Sequence, residues 1–173
     1  GLIKTSFEVA QLSRLSPAEF LTEVNELLER LTPPDSFAAV IFAVYDSKRH
    51  ILSFANAGHA PVPIVVRART GEVETCREPV GLLCGVESDS KYETAEISLE
   101  PHDKLVLCTD GIVDSVNPDG SRFGIERFLD LLRAHSQLPS RMLRDCIVDA
   151  VATHVADAPQ SDDETFVIVE VAQ

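Results

Sequence analysis

The sequence predicts an α+β domain, and three observations carry that expectation. A capped, amphipathic helical pattern lies near the start. A run of apolar, β-preferring stretches separated by turn residues follows it. Two further helical periods then precede a closing apolar stretch, "TFVIVEV". Strands joined by tight turns imply a largely antiparallel sheet with helices packed on a face, because parallel strands need longer crossovers.

The elements read as follows. Residues 2–15 carry scattered apolar positions at roughly helical spacing. In "SPAEFLTEVNELLERL" Ser16 can cap, Pro17 suits the first helical position, and Glu19 completes a capping box. Phe20, Leu21, Val24, Leu27, Leu28 and Leu31 form one apolar stripe, and Pro33 and Pro34 end the helix. From Phe37, "FAAVIFAVYD" is a continuous apolar run and reads as a buried strand. "HILSFANAG" follows a short polar turn, which makes these two strands a hairpin. "PIVVRA" and "RTGEV" continue as strand, turn and strand, and residues 93–99 alternate as a half-buried strand should. "KLVLCTDG" is the next strand, residues 123–135 and 141–155 are amphipathic helices, and "TFVIVEV" closes the chain.

A length of 173 residues suits one ordinary domain with a real core. The net charge of −13 argues against a nucleic-acid binder, which needs clustered Lys and Arg to neutralise phosphates, and equally against docking on anionic lipid. No apolar run approaches the ~20 residues of a membrane span, and no signal peptide opens the chain. Cys76, Cys84, Cys108 and Cys146 show no C-x-x-C spacing and read as reduced structural thiols of a cytoplasmic protein. The chain starts at Gly1 rather than Met, directly in a helical pattern, so it reads as a piece of a longer polypeptide.

The chemistry concentrates in "LVLCTDGIVDSVNPDG", residues 105–120, where an apolar strand ends on Asp110 and Asp114 follows four residues later. Asp162 and Asp163 stand just ahead of the last strand. If those two strands are antiparallel neighbours, the carboxylates of Asp110, Asp162 and Asp163 meet at one sheet edge. Clustered carboxylates repel unless a positive charge sits among them, and a hard divalent cation such as Mg²⁺ or Mn²⁺ supplies one. Gly111 would let the backbone approach such an ion closely. Yet Asp-Gly after a strand is also a common turn, and Ser-Asp-Asp-Glu a common solvated loop, so the residues alone leave both readings open.

Five segments, "FANAGHAPVPI", "GLLCGV", "LVLCTDGIVDSVNPDG", "FGIERFLDLL" and "APQSDDETFVIV", occur in an order and at distances that resemble the metal-dependent serine/threonine phosphatases of the protein phosphatase 2C superfamily. The closest subgroup is the bacterial branch typified by stage II sporulation protein E. The resemblance implies an αββα sandwich with two divalent ions, Mn²⁺ or Mg²⁺, at one end. A water bridging them attacks phosphoserine or phosphothreonine in line, without a phosphoenzyme.

Asp110 and Asp162 match metal-ligand aspartates, and through them the activated water. Asp163 stands where Asn is frequent and would support the site, while Asp114 matches a carboxylate of an additional, weaker metal position. His59 of "NAGH" lies near the site in this family in a structural or water-orienting role, with Asn56 and Gly58 shaping its turn. The family also places a further metal-binding aspartate and a Gly-His-Gly stretch ahead of the helix matching residues 2–15. No such stretch stands here, which implies a single phosphatase-like domain, N-terminally incomplete in its strands and its first metal motif.

The function expected is hydrolysis of a phosphorylated regulatory protein, such as an anti-anti-sigma factor, by a cytoplasmic bacterial signalling protein. A sensor or regulatory domain precedes it in the full-length protein, and a homodimer is compatible. The alternative is a catalytically incomplete, phosphatase-shaped module that binds a partner through its N-terminal helices. A metal-dependent nuclease would use similar carboxylates but lacks a basic groove here.

Overall fold

A computed structural model of the chain describes residues 15–33, 35–160 and 162–172. The helical expectation for residues 2–15 therefore lies, Leu15 apart, outside the described residues. The chain divides into two units, one running up to His59 and taking in Arg77–Leu99, the other comprising Ala60–Cys76 and the chain from Glu100 onward.

The first unit starts with helix α1 (Pro17–Leu31), whose entry the sequence specifies atom by atom. The Ser16 hydroxyl accepts the Glu19 N–H at 3.3 Å, and the Glu19 carboxylate accepts the Ser16 N–H at 2.8 Å. The Ser16 N–H, and then the Ser16 hydroxyl that donates to the same carboxylate at 2.7 Å, hold the Glu19 carboxyl below its usual range. Phe20, Leu21, Val24 and Leu28 are buried with Ala55, Ala57, Cys84 and Tyr92. The stripe is narrower than expected, because Leu31 is 56% exposed and the slot one turn after Leu21 goes to a polar residue, Asn25.

Strands β1 (Val40–Asp46), β2 (Ile51–Ala57) and β5 (Ala95–Ser98) form an antiparallel sheet in the order β1-β2-β5. Asp46 pairs with Ile51 across the expected hairpin turn, where the Asp46 carboxylate accepts the N–H groups of Lys48 and Arg49. The expectation of a buried strand from Phe37 needs correcting. β1 begins at Val40, is only half-buried, and leaves Phe37 64% exposed. The reason is position: among the described strands β1 stands at an edge of the sheet, and α1 packs on the face that Val40 and Phe42 share with Ala55 and Ala57.

The second unit holds β3 (Ile64–Val66), β4 (Val73–Thr75), β6 (Lys104–Cys108) and β7 (Phe166–Glu170), all antiparallel in the order β4-β3-β6-β7. Its helices are the short α2 (Asp110–Asp114), then α3 (Ile125–Ala134) and α4 (Ser140–Val155). Ile64, Val66, Val106 and Cys108 join Phe128, Leu132, Leu143, Ile147 and Val151 in one core. The sheet expected from the residues is thus two sheets, since β2 pairs with β5 and β3 with β6. Among the described residues no helix is long and apolar enough to cross a membrane. All four cysteines are free thiols.

A buried ion pair anchors the start of β6. Asp103, 1% exposed, accepts from the Ala68 N–H, the Glu100 N–H and the Arg67 guanidinium at 2.8–3.0 Å. Burial by itself would raise the Asp103 carboxyl, but the two N–H groups and Arg67 outweigh it and hold it below the usual carboxylate range. A depressed folded pKa stabilises above the unfolded value and is lost as pH falls through the folded one. Asp103→Asn should therefore cost about 2 kcal/mol in urea unfolding at pH 7, because it removes the charge that the Arg67 guanidinium and two N–H groups meet, while Arg67 keeps its pair with Glu74. That cost should shrink as pH falls below about 4, where Asp103 of the unfolded chain takes up its proton, and shrink further through the lower value of the folded carboxyl. An equal cost at pH 7 and pH 3 would contradict the assignment.

Candidate metal centre

β6 runs antiparallel to β7 with Cys108 opposite Phe166, so the exit of one strand lies beside the entrance of the other. The bonding continues beyond the strands. Thr109 N–H donates to the Thr165 carbonyl at 2.9 Å. Its hydroxyl donates to the Asp163 carbonyl at 2.9 Å and accepts the Thr165 N–H at 3.1 Å. A Cβ placed on Gly111 would sit 2.4 Å from the Asp163 carbonyl oxygen. The close approach that glycine permits here is therefore to the Asp163 backbone, and Gly111 is buried under it.

This lock brings the backbones of Asp110, Gly111, Asp162 and Asp163 to one rim of the second unit. Asp110 is the first residue of α2 and is exposed, as are Asp162 and Asp163. The Asp162 carboxylate accepts the Asp163 N–H at 2.7 Å, and its carbonyl accepts the Gln160 amide at 2.8 Å, which fixes this loop from within. Asp114 stands four residues after Asp110 on the same helix, so both face the same side. Its carboxylate accepts from the Arg122 guanidinium at 2.9 Å, and Arg122 is brought back by a turn that Val116 and Arg122 close. Asp114 thus forms a solvent-exposed ion pair with a side chain of this chain.

Among the described residues no group of three or more His, Cys, Asp or Glu side chains could hold a metal ion. The donors that are present nevertheless suit a hard cation. Asp110 and Asp162 offer carboxylate oxygens open to solvent, and Mg²⁺ binds through one or two carboxylates while keeping several waters. Cys108 supplies no soft ligand, because burial and then the charge of Asp110 push its thiol up to about 12.

Asn56, Gly58 and His59 belong to the first unit. The Asn56 side chain accepts the His59 N–H at 2.8 Å and donates to the His59 carbonyl at 3.0 Å. Gly58 takes a φ of +68°, which a side chain would strain. Asn56 and Gly58 thus shape the "NAGH" turn.

Three contributors were not singled out in the sequence. Thr109 locks the rim, and the only hint of it is a hydroxyl immediately before Asp-Gly. Arg122 carries no local signal, since its partner is eight residues away. Asn25 was lost in an apolar stripe.

The family model for stage II sporulation protein E (SpoIIE) matches residues 1–172. The chain belongs to the SpoIIE family. It is 29% identical over 133 residues to Protein IcfG of Synechocystis sp. (strain ATCC 27184 / PCC 6803 / Kazusa), which covers 77% of this chain and 20% of that protein. It is 26% identical over 162 residues to the phosphoserine phosphatase RsbP of Bacillus subtilis (strain 168), covering 91% of this chain and 38% of that one. The SiaA-PP2C domain of Pseudomonas aeruginosa superposes with a TM-score of 0.81 at 24% identity, covering 97% of this chain and 65% of that structure. The SpoIIE-family chain therefore has the α+β fold of protein phosphatase 2C domains, and it spans well under half the length of these two curated relatives.

Proposed function

We propose that this SpoIIE-family chain is part of a metal-dependent protein serine/threonine phosphatase domain, both units included, that hydrolyses a phosphorylated regulatory protein such as an anti-anti-sigma factor. The observation that supports it most is the Thr109–Asp163–Thr165 lock, which holds the backbones carrying Asp110 and Asp162 at one rim. Family membership supports the reaction class, and the relative named a phosphoserine phosphatase supports the phosphorylated residue.

In this reading Asp110 and Asp162 hold Mn²⁺ or Mg²⁺, which when bound lowers the pKa of a water and neutralises charge building on the phosphoryl oxygens. The chain's own contribution is placement. Gly111 lets α2 pack against the Asp163 carbonyl, and Thr109 fixes that carbonyl with its hydroxyl. Asp163 supports the site through its backbone, and Arg122 pairs with Asp114. An N-terminal sensor domain of the full-length protein would supply the input.

A second reading, a phosphatase-shaped partner-binding module without turnover, is favoured by one observation. No group of three or more candidate ligands stands together among the described residues. The test is hydrolysis of p-nitrophenyl phosphate and of a phosphoserine protein by the full-length protein. Turnover that needs Mn²⁺ or Mg²⁺ and stops with EDTA is expected. No turnover with either ion would favour the module.

A further inference from the structure

Asn25 is fully buried in α1, and its amide makes four hydrogen bonds to one stretch of chain. Nδ2 donates to the carbonyls of Glu87 at 2.8 Å and Ser88 at 3.3 Å. Oδ1 accepts the Gly85 N–H at 2.7 Å and the Tyr92 hydroxyl at 3.4 Å. A buried amide that satisfies all its donors and acceptors on a single loop fixes that loop, because every displacement leaves a polar atom unpaired.

The same loop continues backward to the "NAGH" turn. The Cys84 N–H donates to the Ala38 carbonyl at 3.0 Å, and the Ala38 N–H returns a bond to Cys84 at 2.9 Å. Leu83 packs its side chain 2.8 Å from where a Cβ on Gly58 would sit. Gly81 N–H donates to the Asn56 carbonyl at 2.7 Å, and a Cβ on Gly81 would meet the Tyr92 ring at 2.8 Å. Residues 81–88 are thus a strap, tied at one end to Asn25 and at the other to the two residues, Asn56 and Gly58, that shape the turn before His59.

We infer that Asn25 is a positioning residue for the Asn56–His59 turn, acting through the 81–88 strap. The importance of that turn for catalysis rests on the phosphatase proposal; the physical link from Asn25 to the turn does not. A merely structural Asn25 would lower the stability of the whole unit evenly, whereas a positioning residue loosens a defined path.

Amide hydrogen exchange on the full-length Asn25→Ala protein distinguishes these. The N–H groups of Gly85, Gly81 and His59 should exchange about tenfold faster relative to strand amides of β2 such as Phe54, the loss of roughly one hydrogen bond. Leu52→Ala, which truncates a buried side chain at the other end of β2, should speed strand and turn amides in the same proportion. If Asn25→Ala fails to fold, Asn25→Asp keeps the acceptor for Gly85 but faces the Glu87 and Ser88 carbonyls with an oxygen, and the same three amides should respond. Acceleration of Gly85 alone, or of all amides equally, would overturn the inference. Turnover with Mn²⁺ on the same variant should show a lower kcat at unchanged KM. A wild-type protein without turnover would remove the phosphatase proposal and leave the exchange result to decide the link.

Discussion

Asp110→Asn in the full-length protein should abolish Mn²⁺-supported hydrolysis of p-nitrophenyl phosphate, with kcat falling roughly a thousandfold, or about 4 kcal/mol of transition-state stabilisation. The substitution keeps the shape of the side chain and removes its charge. Asp110 is exposed and stands in the first turn of a five-residue helix, so unfolding in urea should shift by no more than about 0.5 kcal/mol. Loss of activity with unchanged stability would mark Asp110 as a ligand. Activity that persists would remove it from the mechanism and leave the rim a solvated turn. Asp162→Asn should behave alike, because the proposal needs both carboxylates for one ion.

Gly111→Ala should also lower activity, by another route. Gly111 has no left-handed backbone to accommodate, so alanine is conformationally allowed there. What it meets is the Asp163 carbonyl oxygen at 2.4 Å and carbon at 2.9 Å, and backbone atoms cannot rotate away as a side chain can. Either the β6 exit or the β7 entrance must move, at about 1–3 kcal/mol of stability. Asp110 and Asp162 would then no longer face a common ion, and activity should fall at least tenfold while the core helices remain folded. Gly120→Ala is the contrast. Its φ of +80° strains any side chain, but nothing lies within 4 Å of the added carbon, so it should lose stability without losing metal-dependent turnover. Equal turnover in both variants would show that the rim tolerates displacement.

How much of this was legible depended on how local the signal was. The α1 entry was legible because a capping box is written in four consecutive residues and needs no tertiary partner. The neighbouring of β6 and β7 was posed as a condition by the aspartates at their ends, and the pairing of Cys108 with Phe166 meets it. Partnership between β2 and β5, or β3 and β6, was not legible, since alternation shows that a segment is a strand and not which strand lies beside it. The burial of β1 was misjudged for a related reason: an apolar run looks the same at a sheet's edge as at its centre. Helix α2 was missed because Asp-Gly suggests a turn, and five residues are too few for a period to appear. Asn25 sat at the right helical spacing for the core, yet a polar residue in an apolar stripe gives no sign of the loop that satisfies it.

The central claim is that one divalent ion is shared by carboxylates at the joined ends of β6 and β7. Titrating Mn²⁺ into the isotopically labelled full-length protein tests it directly, because the ion broadens nearby amide resonances steeply with distance. The expected result is broadening centred on Asp110, Gly111, Asp162 and Asp163, much weaker at Lys104 and Glu170 at the other end of the same strand pair, and lost in Asp110→Asn. Broadening centred elsewhere, or unchanged by that substitution, would contradict the account.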